Sequence, residues 1–447
     1  MIGLRGKIFI PEVSAAIDLN RAAFDNAIFM EKPPMRSKIL VTSLMVVALA
    51  SAAAAPACFA ADATSSAPDD AASQADFQQW LATFRRDASA QGIDQSTLDL
   101  AFRGVTPDPS VQKLDSEQPE FITPIWEYLA KRLSAENIQQ GQQLLRSEPA
   151  LPEVKRVYGV DPRIVAAIWC AESDYGKFIG SRDVIRSLAT LAYEGRRMRY
   201  GTTQLLAALR ILQNNDVARG QLVGSWAGAM GQTQLIPTNY LEYAVDADHD
   251  HVRDVWTSRA DALASTANYL QRSGWNAHTP WGQEVQIPAS FDYAQADLSI
   301  KKSVAQWRQL GVAGATRAIP DALAQEQASI LLPAGYRGPA FLILDNFRSI
   351  LRYNNAVAYA LGISLLADSY AGGNGVSHPW PTDDPPLDSM AEIIELQKRL
   401  TAKGYTLGNA DGVIGPMTRA AIRAYQKDQG LPQDGYASVC LLERLRR

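Results

Sequence analysis

Cysteine and histidine are scarce in this 447-residue chain, three of one and four of the other. Three cysteines cannot build a disulfide framework, and four histidines leave little for a zinc centre. An excess of one charge is missing too: 43 basic residues stand against 47 acidic ones, a net of −4. Nothing in that balance draws the chain toward nucleic acid. Thirty glycines and 24 prolines are an ordinary share, which excludes a collagen-like or wholly disordered polymer. Apolar residues make up 47% of the chain, enough for packed cores in roughly three domains.

One long uncharged run does occur, from Ile39 to Ala61, behind Arg36 and Lys38. Its strongly apolar part stops near Ala50, and small residues follow around Ala57, Ala60 and Ala61. That is the layout of a secretory signal; 23 uncharged residues could just span a bilayer, but the strongly apolar core is short, so a membrane-tethered form is the lesser reading. Residues 1–61 are therefore expected to hold a mis-called start, with Met35 as the true one, and a signal peptide that exports the chain to the periplasm. Cys58 after Ala55-Pro56-Ala57 is a poor lipidation signal, so a lipid-anchored form is the lesser reading. Cys170 and Cys440 read as buried apolar residues.

Composition then divides the chain. Residues 62–75 are Ala/Ser/Asp-rich and aperiodic, the pattern of a flexible leader. Residues 371–388 contain Gly372, Gly373, Gly375 and four prolines, the pattern of an extended linker. Between them, 76–370 carries helical periodicity at Phe77–Ala88, Ile125–Leu133, Val184–Tyr193, Thr203–Asn214 and Ala260–Arg272. Strand patterns come late, at Gln283–Pro288, Ala328–Leu332 and Ala340–Leu344. The expected class is mainly α, a helical domain with a small β subdomain, followed by a C-terminal module at 389–447.

The most informative helix opens at Asp161-Pro162, an acidic N-cap before a first-turn proline, and stops at Gly176. Ile164, Ala167, Ile168, Ala171 and Tyr175 form one apolar stripe, and Glu172 borders it in the last turn. The helix dipole is negative there, and partial burial acts in the same direction, so both favour a protonated carboxyl. Such a group suits general-acid chemistry, whereas an isolated helix-end glutamate is more often simply solvated. Glycoside hydrolysis ordinarily takes two facing carboxylates. Asp174 cannot face Glu172 from two positions away on a helix, and no other acid sits at a helical pairing distance. A distant acid could fold back; failing that, a lone carboxyl suits a substrate that supplies its own nucleophile.

The segment Ala166-Ala167-Ile168-Trp169-Cys170-Ala171-Glu172-Ser173-Asp174-Tyr175-Gly176 resembles the catalytic-glutamate region of the lytic murein transglycosylase B family. Ser187–Tyr193 with Arg196-Arg197, Gly224–Pro237, Tyr240, Asn268-Tyr269 and Arg352-Tyr353-Asn354-Asn355 continue the resemblance in order over about 75–370. Cys170 stands where that family commonly has glycine.

The resemblance implies a lysozyme-like catalytic domain that cleaves peptidoglycan between N-acetylmuramic acid and N-acetylglucosamine. Glu172 would protonate the glycosidic oxygen, then act as base toward the muramoyl C6 hydroxyl, closing a 1,6-anhydro ring without water and without a second acid. Substrate contacts are expected from Ser225, Gln234, Tyr269, Tyr353, Asn354, Tyr359, Arg196, Arg197 and Met230. Each has a plainer reading: turn chemistry for Ser225, a solvated amide for Gln234, core packing for the tyrosines and Met230, an exposed charged face for the arginines. Hydrolytic muramidase activity and a non-catalytic wall-binding scaffold are the competing functions. Peptidoglycan glycan strands, and after them other cell-wall enzymes, are the expected partners.

Asp246, Asp248, Asp250 and Asp254, with Asp261 further on, follow the oxygen-rich spacing of a calcium loop. His251 replaces the usual glycine at the sixth position and Thr257 the usual glutamate at the twelfth. The resembling family carries a similar loop, so a structural calcium stands beside a solvated Asp-rich turn. No cofactor is expected for the chemistry itself.

In 389–447, Ile393–Leu400 reads as an amphipathic helix closed by Gly404-Tyr405. Gly415-Pro416 opens a second helix that Gly430-Leu431-Pro432 stops, and Asp434-Gly435 turns into a third. These motifs resemble a helical peptidoglycan-binding module. Nine basic against six acidic residues give it +3, which suits an acidic wall polymer, although a generic docking domain fits as well.

Overall fold

The computed structural model describes residues 67–116 and 123–447, with side chains from Gln74 onward. The expected signal and start region at 1–61 lies outside the described residues. Helix Ala67–Ala90 begins inside the segment read as a leader. Pro68 suits a first helical turn, where a missing N–H costs nothing. Ala/Ser richness alone does not separate a leader from a helix start.

Helix Pro162–Ser173 is the axis of the catalytic region. Helices Ala135–Ser147, Ala150–Tyr158, Arg259–Arg272 and Val357–Tyr370 pack against it. Every residue from Ile164 to Cys170 is buried, so the apolar stripe seen in the sequence is in fact an apolar surface on all sides. A helix of this kind is the centre of a domain, not its wall. Helices Val184–Tyr193 and Met198–Gln213 pack on each other beside it.

The small subdomain is a five-stranded antiparallel sheet in the order Lys302–Ser303, Gln327–Leu331, Ala340–Ile343, Gly282–Gln286, Ala313–Gly314. Its central strand shows why it bridges two cores. Phe341 and Ile343 join the helical core, while Ala340 and Leu342 join a second core with Val285, Trp307 and Ile330. Side chains alternate faces along a strand, so one strand serves both.

Helices Met390–Ala402, Pro416–Asp428 and Val439–Arg446 close the C-terminal module around Leu396, Leu400, Ile422 and Leu442. Two helix glutamines each clamp an Asp-Gly turn in the same way. Gln397 donates to Asp411 Oδ1 at 2.9 Å and accepts from Gly412 N–H, and Gln426 does so with Asp434 at 2.6 Å and Gly435 N–H.

The Gly/Pro segment between the domains is laid along the protein. Glu284 accepts from the N–H groups of Ser377 and His378, and Arg337 pairs with Asp383 at 2.7 Å. The module in turn touches the β subdomain through Arg423–Asp297 at 2.8 Å and Tyr336 N–H to Asp434 Oδ2 at 2.8 Å. Cys170 is buried as expected, but Cys440 is exposed, with its backbone N–H bonded to Asp384. No described helix is long and apolar enough to cross a membrane.

Candidate active site

Asp161 Oδ1 accepts the Arg163 N–H at 2.9 Å and starts the central helix at Pro162. The helix ends in three consecutive left-handed residues, Asp174, Tyr175 and Gly176. That reversal carries Asp174 outward to Lys177 at 3.3 Å and leaves Glu172 inside. Glu172 is 3% exposed, far deeper than a bordering position.

Glu172 Oε1 accepts the Tyr359 hydroxyl at 2.5 Å. Burial pushes the Glu172 carboxyl up to about 7, against the opposing pull of that hydrogen bond and of the Arg132 charge. Desolvation wins, as it does for a carboxyl taken out of water without a close counter-ion. Tyr359 is itself buried and held well above the usual phenol range, so it stays the donor. Oε2 makes no hydrogen bond among the described residues.

The Gly224–Pro237 segment folds beside this carboxyl and is fastened to the same helix. Trp169 Nε1 donates to Gln232 Oε1 at 3.1 Å, and Ser173 Oγ donates to the Gln232 carbonyl. Gln232 N–H reaches Val255 O at 2.9 Å, which ties the segment to the acidic loop. Gly231 sits at φ 72°, and a Cβ there would lie 2.5 Å from Val255 O. Only glycine permits that conformation at that approach.

The substrate-contact residues expected from sequence are spread through this wall, and most serve the framework. Ser225 Oγ accepts Ala229 N–H at 3.0 Å, which is turn chemistry, and makes no bond to Glu172. Gln234 is buried at φ 54°, not solvated; its Nε2 donates to Gly231 O at 2.9 Å and Ile179 O at 3.1 Å. Its Oε1 is buried with no partner. Met230 is fully buried.

Tyr353 donates to Thr233 O and Tyr269 to Arg352 O at 2.6 Å, and their rings meet edge to face at 4.9 Å. Asn354 Oδ1 accepts Ala356 N–H at 3.1 Å, so it shapes the entry to the helix carrying Tyr359 and does not bond Glu172. Arg196 and Arg197 are not an idle charged face. Both bind Asp115, Arg197 Nε at 3.3 Å, and the Arg197 guanidinium lies 5.3 Å from the Trp226 ring centroid.

In the acidic loop, carboxylate oxygens of Asp246, Asp248 and Asp261 lie within 4.8 Å of one another. Asp250 and Asp254 do not join them. Asp250 accepts Val252 N–H, and Asp254 accepts the N–H groups of Trp256 and Thr257, so both are spent on turns. Asp261 is fully buried and accepts from Ala247 and Asp254 N–H. His251 stands at φ 74°, taking with a non-glycine the conformation glycine usually supplies at that position.

Sequence reading missed Tyr128, Arg132, Trp169, Ser173 and Gln232. Trp169, Ser173 and Gln232 lay within the matched motifs without a sign that they bond one another. Tyr128 and Arg132 lay on a helix with no motif at all.

A buried protonatable carboxyl at the end of a central helix, with helices around it and a small sheet beside it, defines a lysozyme-like glycan-cleaving class. The transglycosylase SLT domain model matches residues 76–368, and the chain belongs to that family of lytic transglycosylases. The peptidoglycan binding domain model matches 389–445. The Escherichia coli K12 membrane-bound lytic murein transglycosylase B is 31% identical over 246 residues, 55% of this chain and 66% of that protein, just under two thirds of its length. Pseudomonas aeruginosa SltB3, solved with NAG-anhNAM-pentapeptide, shares 54% identity at a TM-score of 0.81, covering 83% of this chain and 99% of that one. Escherichia coli Slt35, solved with calcium, shares 28% identity at 0.57, covering 68% and 94%.

Proposed function

We propose that this protein cleaves the β-1,4 bond between N-acetylmuramic acid and N-acetylglucosamine in peptidoglycan without water, leaving 1,6-anhydromuramoyl ends. Protonated Glu172 gives its proton to the glycosidic oxygen as the bond to the muramoyl C1 breaks. The carboxylate so formed takes the proton of the muramoyl C6 hydroxyl, and O6 bonds C1. One group acts as acid and then base, and its proton is restored. The observation that carries this reading is a single buried carboxyl near pKa 7 whose charged and polar neighbours include no second acid among the described residues. A hydrolytic pair would need one.

The tyrosines support the reading in different ways. Tyr359 holds Glu172 in one orientation, and Tyr353 with Tyr269 gives the wall its rigidity. Arg196 and Arg197, set by Asp115, offer charge to the peptide-bearing side of the glycan. The C-terminal module, which matches a peptidoglycan binding family, would hold the enzyme on the strand, and export to the periplasm follows from the expected signal.

Asp246, Asp248 and Asp261 fit a calcium ion: three hard oxygen donors converge, two from the loop and one from the first turn of helix Arg259–Arg272. The ion would neutralise that loop and brace it. Val255, just beyond, holds Gln232 and hence the site wall, so the contribution is to stability and not to chemistry.

Digestion of purified sacculi followed by mass spectrometry tests the proposal. Muropeptides lighter by one water are expected, and none from Glu172→Gln. Reducing ends would establish hydrolysis instead, and no release would leave a scaffold.

A further inference from the structure

Helix Ile125–Arg132 carries the one cation among the described residues that faces Glu172. It packs on helix Val357–Tyr370 at Gly362, where a Cβ would stand 3.0 Å from Tyr128 Cε1 and 3.7 Å from Arg132 Cγ. Gly362 is three residues after Tyr359, on the same helix face, so Tyr128 and Arg132 adjoin the Tyr359–Glu172 pair. Arg132 Nε donates to the Tyr128 hydroxyl at 3.3 Å, and its guanidinium carbon lies 5.4 Å from that ring's centroid. Asn137 Nδ2 caps the Arg132 carbonyl at 3.0 Å and fixes the helix end.

Two further facts bear on what that guanidinium does. It is half-buried, yet among the described residues no carboxylate lies within ion-pairing distance of it, unlike the paired arginines elsewhere in the molecule. Glu172 is also faced by Tyr359 from its own helix partner, by Tyr353 from helix Asp345–Tyr353 and by Tyr128, all neutral phenols. Among the described residues Arg132 alone offers that site positive charge.

We infer that Arg132 is a positioning residue of the reaction: its uncommitted guanidinium supports Glu172 as a carboxylate, the form it holds between giving its proton away and taking one back. Tyr128 keeps the guanidinium in place through its ring and its hydroxyl. A close ion pair would fix Glu172 permanently ionised and spoil it as an acid. A cation held further off leaves the resting group protonated and lowers the cost of the charge that develops in the transition state.

The inference rests on Glu172 as acid and base, and the test separates the two. Arg132→Gln and Arg132→Lys are compared with the unchanged enzyme and with Glu172→Gln on a soluble peptidoglycan tetrasaccharide across pH. In Arg132→Gln the basic limb of kcat/KM should move up by roughly half to one unit, since the carboxylate loses support. Its kcat on the acid plateau should fall about tenfold with KM within about twofold, and Arg132→Lys should recover most of both. A folded Arg132→Gln enzyme with an unmoved limb would overturn the inference, as would a raised KM alone, which assigns the guanidinium to a substrate carboxylate. If Arg132→Gln does not fold, Arg132→Met, which keeps the apolar stem and removes the charge, takes its place: its basic limb should move up by the same amount, and an unmoved limb overturns the inference. An active Glu172→Gln enzyme would instead strike at the underlying mechanism.

Discussion

The Tyr359 hydroxyl donates to Glu172 Oε1 at 2.5 Å across two helices that meet only in the folded chain. The bond does two things at once. It fixes the carboxyl through Oε1, leaving Oε2 without a hydrogen bond among the described residues, and it lowers a pKa that burial alone would raise further. Deep burial without that bond would leave an acid too reluctant to part with its proton near neutral pH.

Tyr359→Phe should therefore raise the Glu172 pKa, because a bond favouring the charged form is lost. The basic limb of the kcat/KM profile, expected near pH 7, should move to higher pH, with activity down about tenfold or more. A pH–rate series on soluble glycan measures both. An unchanged limb would mean that the bond does not bear on titration.

Glu172→Gln should abolish anhydro-product release and stabilise the fold at the same time. The folded pKa of about 7 lies above the unfolded carboxyl near 4.5, so the folded state holds a proton that the unfolded state has released. Between those values stability falls as pH rises, and above them the cost is on the order of 3 kcal/mol. The amide is spared it. Melting temperatures of the two proteins should nearly coincide at pH 4 and separate at pH 8, with the glutamine form higher.

Calcium removal should lower the melting temperature without altering the reaction products. Asp261→Asn should abolish that calcium response and Asp250→Asn should not, because only Asp261 belongs to the converging triad. Calorimetry with calcium and with chelator distinguishes them. Equal responses from both variants would show that the loop is not organised around Asp246, Asp248 and Asp261.

Gly231→Ala should destabilise the site wall by about 2 kcal/mol or more. It adds a left-handed penalty and a clash with the Val255 carbonyl, a backbone atom that cannot rotate away. Denaturant titration reads the loss. Gly372→Ala, at the same sign of φ in open space, should cost about 1 kcal/mol, from the left-handed penalty without the clash.

Local patterns carried most of what was legible beforehand. Asp161-Pro162 and Gly176 bracket the central helix because caps and stops act within a few residues, and hydrophobic spacing located the late strands within a residue or two. The lone Glu172 stood out for the same reason: its place in a last turn is a property of its own helix. Local patterning could not say that this helix is enclosed on every side, which depends on four partner helices.

The amino-acid order thus determined the elements, their caps, the helical module at the C-terminus and the position of one acid. Tertiary structure decided which groups surround that acid. Tyr359 arrives from 187 residues away, Arg132 from a helix without a motif, and Asp261 from beyond the loop it completes. It also assigned Ser225 and Asn354 to turns and Asp250 to its own loop. Hydrogen bonds and desolvation act over a few ångströms of space, whatever the distance along the chain, so the chemistry of Glu172 exists only once the helices have closed around it.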